Sequence, residues 1–261
     1  MRLPAALAAL IFALSGCAGA AATSRVPARF TLLQMNLCLS GLAGCFGKVA
    51  YPAGVDDAVA RIREAHPDAV TFNEACRGDV ERIARRTGYH LRFSTVPYRG
   101  RRLPCIHPGG RGLFGDAVLT AGAITGSESR AFTAQEGIER RRWLCVTTRA
   151  GLDVCTAHLN GRTPGEVAGN DAQCAELARV LARRAVHRTV IFAGDVNRRD
   201  HCAPRGLWVR TDASARQAPG LQQAYGSPAL RSASAQVLPA AHTDHDVLLV
   251  RARLTARWTS P

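Results

Sequence analysis

Polar residues that can do chemistry stand where the apolar runs of this chain stop. Asn36 follows TLLQM and Glu74 follows AVTFN. His158 and Asn160 come after VCTA, Asp195 and Asn197 after VIFAG, and the Asp244-His245 pair directly precedes DVLLV. Carboxylate oxygens suit a hard divalent cation. An imidazole can give or take a proton near neutral pH, and an amide can donate a hydrogen bond to an oxyanion. Each residue alone has an ordinary reading: a turn-forming asparagine, a glutamate opening a helix, loop residues bonded to their own backbone. Delivered together by several strand ends, they can meet at one edge of a sheet.

The elements that must carry them alternate along the chain without repeats. Strands are expected at residues 29–36, 68–73, 116–120, 189–193 and 246–253, with a hairpin made by 141–148 and 152–159. Helices are expected at residues 55–65, stopped by Pro67, at 79–86, closed by Gly88, and at 166–186. A Gly-, Pro- and Arg-rich loop spans residues 98–112. Many strands with few but long helices predict one α/β domain in which two mixed sheets pack together, rather than a single doubly wound sheet.

Composition narrows the setting. The chain has 261 residues, is 47% hydrophobic and carries a net charge of +14, almost all of it arginine, with Lys48 the only lysine. That charge favours anionic partners such as nucleic acid or phospholipid head groups, although GC-rich codon usage would by itself produce the arginine bias. The first residues read as an export signal: a basic start, an apolar stretch from Pro4 to Leu14, then Leu-Ser-Gly-Cys ending at Cys17. This resembles a bacterial lipobox, in which Cys17 is lipidated and the protein is held on the outer face of the cell membrane. Cleavage within the small-residue run that follows, with release of the protein, is the other reading. Residues 18–28 would then be a short linker and 29–256 the domain. Setting Cys17 aside, eight cysteines remain: Cys38, Cys45, Cys76, Cys105, Cys145, Cys155, Cys174 and Cys202. An even set in an exported protein predicts up to four disulfides. Cys145 and Cys155 flank a hairpin turn and should face each other. Cys174, on a helix, and Cys202, just after a strand, form a plausible second pair. No C-x-x-C occurs, which argues against a zinc ribbon.

The ordered segments QMN, NE, GLFGDAVLT, TAHLN, GDVN and TDH resemble the endonuclease/exonuclease/phosphatase superfamily, whose members include deoxyribonuclease I and sphingomyelinases. The resemblance covers residues 30 to 254. It implies a four-layer α/β/β/α sandwich and hydrolysis of a phosphate ester, most simply a nuclease acting on DNA or RNA. Glu74 is then the Mg²⁺ ligand, with Mn²⁺ or Ca²⁺ as alternatives, helped by Asn36 and Asp244. Asp195 orients or deprotonates the attacking water, Asn197 donates to a phosphate oxygen, and His158 and His245 flank the phosphate, His245 being the general acid/base. Asn160 and Arg140, the latter heading a run of three arginines, are candidates for substrate contact. No obligate protein partner is implied.

One departure from the family pattern stands out. Where an aspartate normally orients the final histidine, this chain has Leu221-Gln222-Gln223, so Gln222 is expected in that place, with Asp200 and Asp212 as the next candidates. Phosphatase or phospholipase C chemistry, and a weakly catalytic polyanion-binding protein, remain alternative readings. The absence of G-x-S-x-G argues against a serine hydrolase.

Overall fold

The computed structural model describes residues 29–255, so the export signal, Cys17 and the linker lie outside the described residues. The strands are β1 (Arg29–Asn36), β2 (Ala69–Cys76), β3 (His90–Thr95), β4 (Pro97–Tyr98), β5 (Arg101–Arg102), β6 (Phe114–Thr120), β7 (Ile124–Ala131), β8 (Arg142–Thr148), β9 (Leu152–Ala157), β10 (Thr189–Asp195), β11 (Trp208–Thr211), β12 (Gln222–Gly226), β13 (Leu230–Leu238) and β14 (Val247–Leu254). The helices are α1 (Phe46–Val49), α2 (Ala53–Ala65), α3 (Arg77–Thr87) and α4 (Val167–Ala185). Two six-stranded sheets result, ordered β13-β14-β1-β2-β6-β3 and β11-β12-β10-β9-β8-β7, with β4 and β5 as a separate small hairpin.

Alternation along the strands decides what each face covers. Phe30, Leu32, Ala69, Val118, Leu248 and Val250 of the first sheet pack against Leu144, Val146, Val154, Ile191, Ala193 and Ala224 of the second. The opposite face of the first sheet, through Leu33, Met35, Val70, Phe72 and Leu249, takes Val55, Ala58, Val59 and Ile62 of α2 and Val80 and Ile83 of α3. Spacings of three and four residues put the α2 set on one stripe, and His66 ends the helix in the left-handed conformation just before Pro67. Leu177, Val180 and Leu181 of α4 cover Phe192 and Tyr225 on the outer face of the second sheet. The order of layers is therefore α/β/β/α, as the resemblance implied.

The eight cysteines pair as Cys38–Cys45, Cys76–Cys105, Cys145–Cys155 and Cys174–Cys202. Cys145 and Cys155 are direct cross-strand partners in the β8–β9 ladder. The loop expected at residues 98–112 contains β5 and one end of the β4–β5 hairpin, and β3, β7, β11, β12 and β13 add strands that the apolar pattern did not predict.

Candidate active site

Between the two sheets, the apolar layer gives way at one end to a polar one. Gln34 on β1 donates to the Asn73 side-chain oxygen at 2.8 Å and accepts from Thr71 at 2.5 Å. Asn73 in turn donates to Asp116 Oδ1 at 2.9 Å, and its oxygen accepts the backbone N–H of Asp195 at 2.8 Å across the sheet interface. All five are buried. A buried polar group costs free energy unless it is paired, so this network joins the two sheets in one register and fixes the backbone that presents Asp195.

Above it lie the predicted residues. Asn36, the last residue of β1, donates its amide both to Glu74 Oε1 at 3.0 Å and to Asp195 Oδ2 at 3.1 Å. Glu74 was expected just past a strand. It lies inside β2 instead, where the pairing with β6 slips between Phe72 and Ala75, and its φ is +52°. A β-bulge re-aims a side chain at the cost of local strain, about 1–3 kcal/mol for a non-glycine residue at positive φ. That turn brings Glu74 to Asn36 and within 3.9 Å of His158 Nδ1.

The two histidines approach the same carboxylate. His158 Nε2 is 3.8 Å and His245 Nε2 3.1 Å from Asp195 Oδ2. The Asn197 amide nitrogen donates to the Leu159 carbonyl and lies 2.9 Å from His158 Nε2. A carbonyl can only accept, so the amide orientation is set, and His158 Nε2 must be an acceptor on a neutral ring. Burial and the Arg141 guanidinium agree, pushing the His158 pKa down to about 3. His245 has the opposite surroundings. Its Nδ1 is 2.9 Å from Asp244 Oδ1, and burial, which alone would lower its pKa, is outweighed by Asp195 and Asp244, which lift it well above the ordinary value. Its Nε2 is buried 3.1 Å from Asp195 Oδ2 but without the alignment of a hydrogen bond. Burial would also raise Asp195, yet its contacts with His245 hold it below the usual carboxylate range.

Several expectations are corrected. Gln222 does not touch His245: its amide goes to Asp212 Oδ2 at 3.4 Å and to the Asp246 carbonyl, and its oxygen accepts from Gln34 at 3.3 Å. Asp244 is the carboxylate on His245 Nδ1, an orienting contact that the sequence expected of Gln222. Asp200 is exposed and paired with Arg198. Asn160 is buried, donating one amide N–H to the Glu136 carbonyl and accepting from Gln173, each at 2.6 Å. These contacts brace the loop beside the site. Arg140 is exposed, whereas Arg141, ion-paired with Glu139 at 2.7 Å, is the cation whose charge reaches Glu74, Asp116 and His158. Asn197, expected on a phosphate oxygen, holds His158.

Sequence reasoning did not single out Asp116 or Asn73, and it reached Arg141 only as one of the three arginines headed by Arg140. Asp116 had a visible signal, a carboxylate within the apolar run of β6. Burial pushes it up to about 7, and its Oδ2 has no partner.

A divalent cation fits this donor set. Glu74 and Asp195 oxygens converge on one Asn36 amide, and burial raises the Glu74 carboxyl to about 7, the behaviour of a ligand short of positive charge. The sulfurs of Cys38 and Cys45 also lie beside Glu74, but they are bonded to each other and offer no thiolate.

Comparison with known proteins places the fold. No curated protein sequence matches the chain. Among solved structures, an endonuclease/exonuclease/phosphatase protein from Beutenbergia cavernae matches with a TM-score of 0.64 at 16% identity, covering 90% of this chain and 74% of that one. The human Nocturnin catalytic domain with bound sulfate gives 0.63 at 16% identity, covering 87% and 94%. D. rerio TDP2 complexed with a single-strand DNA product gives 0.59 at 14% identity, covering 87% and 100%. These likenesses establish the fold. The family model for the Endonuclease/Exonuclease/phosphatase family matches residues 43–245, and the chain belongs to that family of phosphoric ester hydrolases, which generally act with divalent metal ions.

Proposed function

We propose that this protein is an exported, Mg²⁺-dependent phosphodiesterase that cleaves nucleic acid. The observation that carries the reading is the meeting at one sheet edge of Glu74, Asn36, Asp195, His158, Asn197, Asp244 and His245, delivered by separate strand ends. Glu74, with Asn36 and Asp195 beside it, would hold the cation, which supplies charge neutralisation at the phosphoryl group. His245, cationic between two carboxylates, donates its Nε2–H to a phosphate or leaving oxygen. Asp195 presents an anionic oxygen to the attacking water. His158, neutral and fixed by Asn197, supplies a hydrogen-bonding group without adding a second positive charge.

A polymeric anion as substrate is supported by the β4–β5 hairpin. Arg99, Arg101 and Arg102 are exposed there. The hairpin joins the segment that carries Arg141, because Arg140 N–H donates to the Pro97 carbonyl and Tyr98 bridges Glu139. This lays a row of cations beside the site, suited to a phosphate backbone. The bound product of D. rerio TDP2 agrees with the same substrate class. Four disulfides support an oxidising compartment, and the lipobox at Cys17 supports attachment to the outer face of the cell membrane. Screening the purified, oxidised protein against plasmid DNA, RNA, sphingomyelin and phosphoinositides, with Mg²⁺ or with chelator, tests the reading. Metal-dependent cleavage of DNA or RNA is expected. Hydrolysis confined to lipid substrates, or activity that survives exhaustive chelation, would overturn it.

A further inference from the structure

The outer face of the first sheet is covered by α2 and α3 over only part of its area. At the other end of β1, β13 and β14, the face is bare and almost uniformly cationic. Arg29 on β1 is the direct cross-strand partner of Arg253 on β14, and Arg253 is the partner of Arg231 on β13. One row further along, Thr31, Arg251 and Ser234 are aligned in the same way. The four arginines and Ser234 are exposed. Arg29, Thr31, Ser232, Ser234, Arg251 and Arg253 line a shallow cavity of about 200 Å³.

Like charges placed directly opposite in a sheet destabilise it unless an anion sits among them. Among the described residues, none of these arginines has an ion pair. Arg251 donates to Gln236 at 3.1 Å, and Asp68, the carboxylate that meets Thr31, accepts its backbone N–H at 2.7 Å. Interspersed hydroxyls add the neutral donors and acceptors that suit phosphate esters.

We propose that this arginine face docks on an anionic phospholipid bilayer. Charge complementarity argues for that occupant, and so does position: Arg29 is the first described residue, so the chain that leads back to Cys17, twelve positions earlier, enters at this face. The orientation has a functional result. Asn36 lies at the far end of β1, roughly 23 Å from Arg29 at the rise of an extended strand. With the arginine face on head groups, the catalytic edge points away from the bilayer and takes its substrate from solution. This extends the nucleic-acid reading, since a hydrolase of the lipids beneath it would need the opposite orientation.

The full-length chain carrying Cys17→Ser, which removes any lipid anchor, isolates the contribution of the face. Its co-sedimentation with vesicles of equal parts phosphatidylcholine and phosphatidylglycerol is compared with that on pure phosphatidylcholine. Binding to the anionic vesicles alone is expected. Adding Arg29→Ser, Arg251→Ser and Arg253→Ser together should weaken it by about tenfold or more and leave hydrolysis of soluble bis(p-nitrophenyl) phosphate unchanged. A variant with the same loss of charge at scattered exposed sites, Arg85→Ser, Arg149→Ser and Arg183→Ser, should retain most binding. Equal loss in both variants, or undiminished vesicle binding in the first, would each overturn the proposal. Because neither assay uses nucleic-acid cleavage, failure of the substrate reading would show separately.

Discussion

The two histidines of the site approach one carboxylate oxygen and differ in charge. His158 lies between an amide donor and the field of Arg141 and is neutral. His245 lies between Asp244 and Asp195 and is an imidazolium. Both rings are buried, which disfavours charge on either: burial, helped by Arg141, keeps His158 neutral, whereas at His245 two carboxylates outweigh it. Two cations beside Asp195 would compete with a metal at Glu74, and two neutral rings would leave the phosphate without a charged donor.

The comparison is broken most severely by removing the carboxylate that both rings share. Asp195→Asn should lower turnover on the order of 10³-fold while the circular dichroism spectrum is preserved. Activity within a few fold of the parent would remove Asp195 from the mechanism. Glu74→Gln acts on the His158 side. It should raise the Mg²⁺ concentration needed for half-maximal activity by about 100-fold, and an unchanged metal titration would transfer the cation to other ligands.

Asp244→Asn tests the charged side more finely. A raised histidine pKa means that the imidazolium, and the stability it contributes, is fully present below the ordinary value near 6.5 and is lost as pH rises through the elevated one. If the cationic form is the active one, activity falls on the alkaline side. Losing Asp244 should bring that limb down by about one unit or more, and an unmoved limb would mean that Asp195 alone sets the charge. The smallest effect on rate is expected from Gln222→Asp. Its partners are Asp212, the Asp246 carbonyl and Gln34, so a new carboxylate there meets Asp212 and not His245. Burial already raises Asp212 to about 6. The alkaline limb should stay in place while thermal stability drops by about 1–3 kcal/mol. A limb displaced to higher pH would restore Gln222 as the orienting position.

Much of this arrangement was legible because apolar runs end in polar residues only where a strand leaves the core. Asn36, His158, Asp195 and His245 were all found that way. At Asn160 the same signal marks a residue that braces a loop, since a polar residue after a strand can turn inward as well as outward. Arg140 and Arg141 differ by one position, and which of two neighbours reaches a site depends on local geometry that a basic run does not encode. Glu74 was identified, but the bulge that aims it leaves no mark in AVTFNEAC. Edge strands were hidden for a related reason: β7 reads ITGSESRA, with little of the apolar alternation that one buried face imposes. The cross-strand pair Cys145–Cys155 followed from a hairpin turn. Cys38–Cys45 and Cys76–Cys105 join segments of little regular pattern, and their partners could not be chosen from spacing.

The Asn36–Asp195 hydrogen bond closes a separation of 159 residues. No contiguous piece of the chain short of that length contains both halves of the site, and the polar network beneath it forms only when one sheet has docked on the other. A chain emerging from the ribosome, or threading through an export channel in extended form, therefore has no catalytic edge at all. Activity therefore awaits completion of the fold, so under the proposed export the cell that makes this hydrolase is shielded from it without an inhibitor or a propeptide.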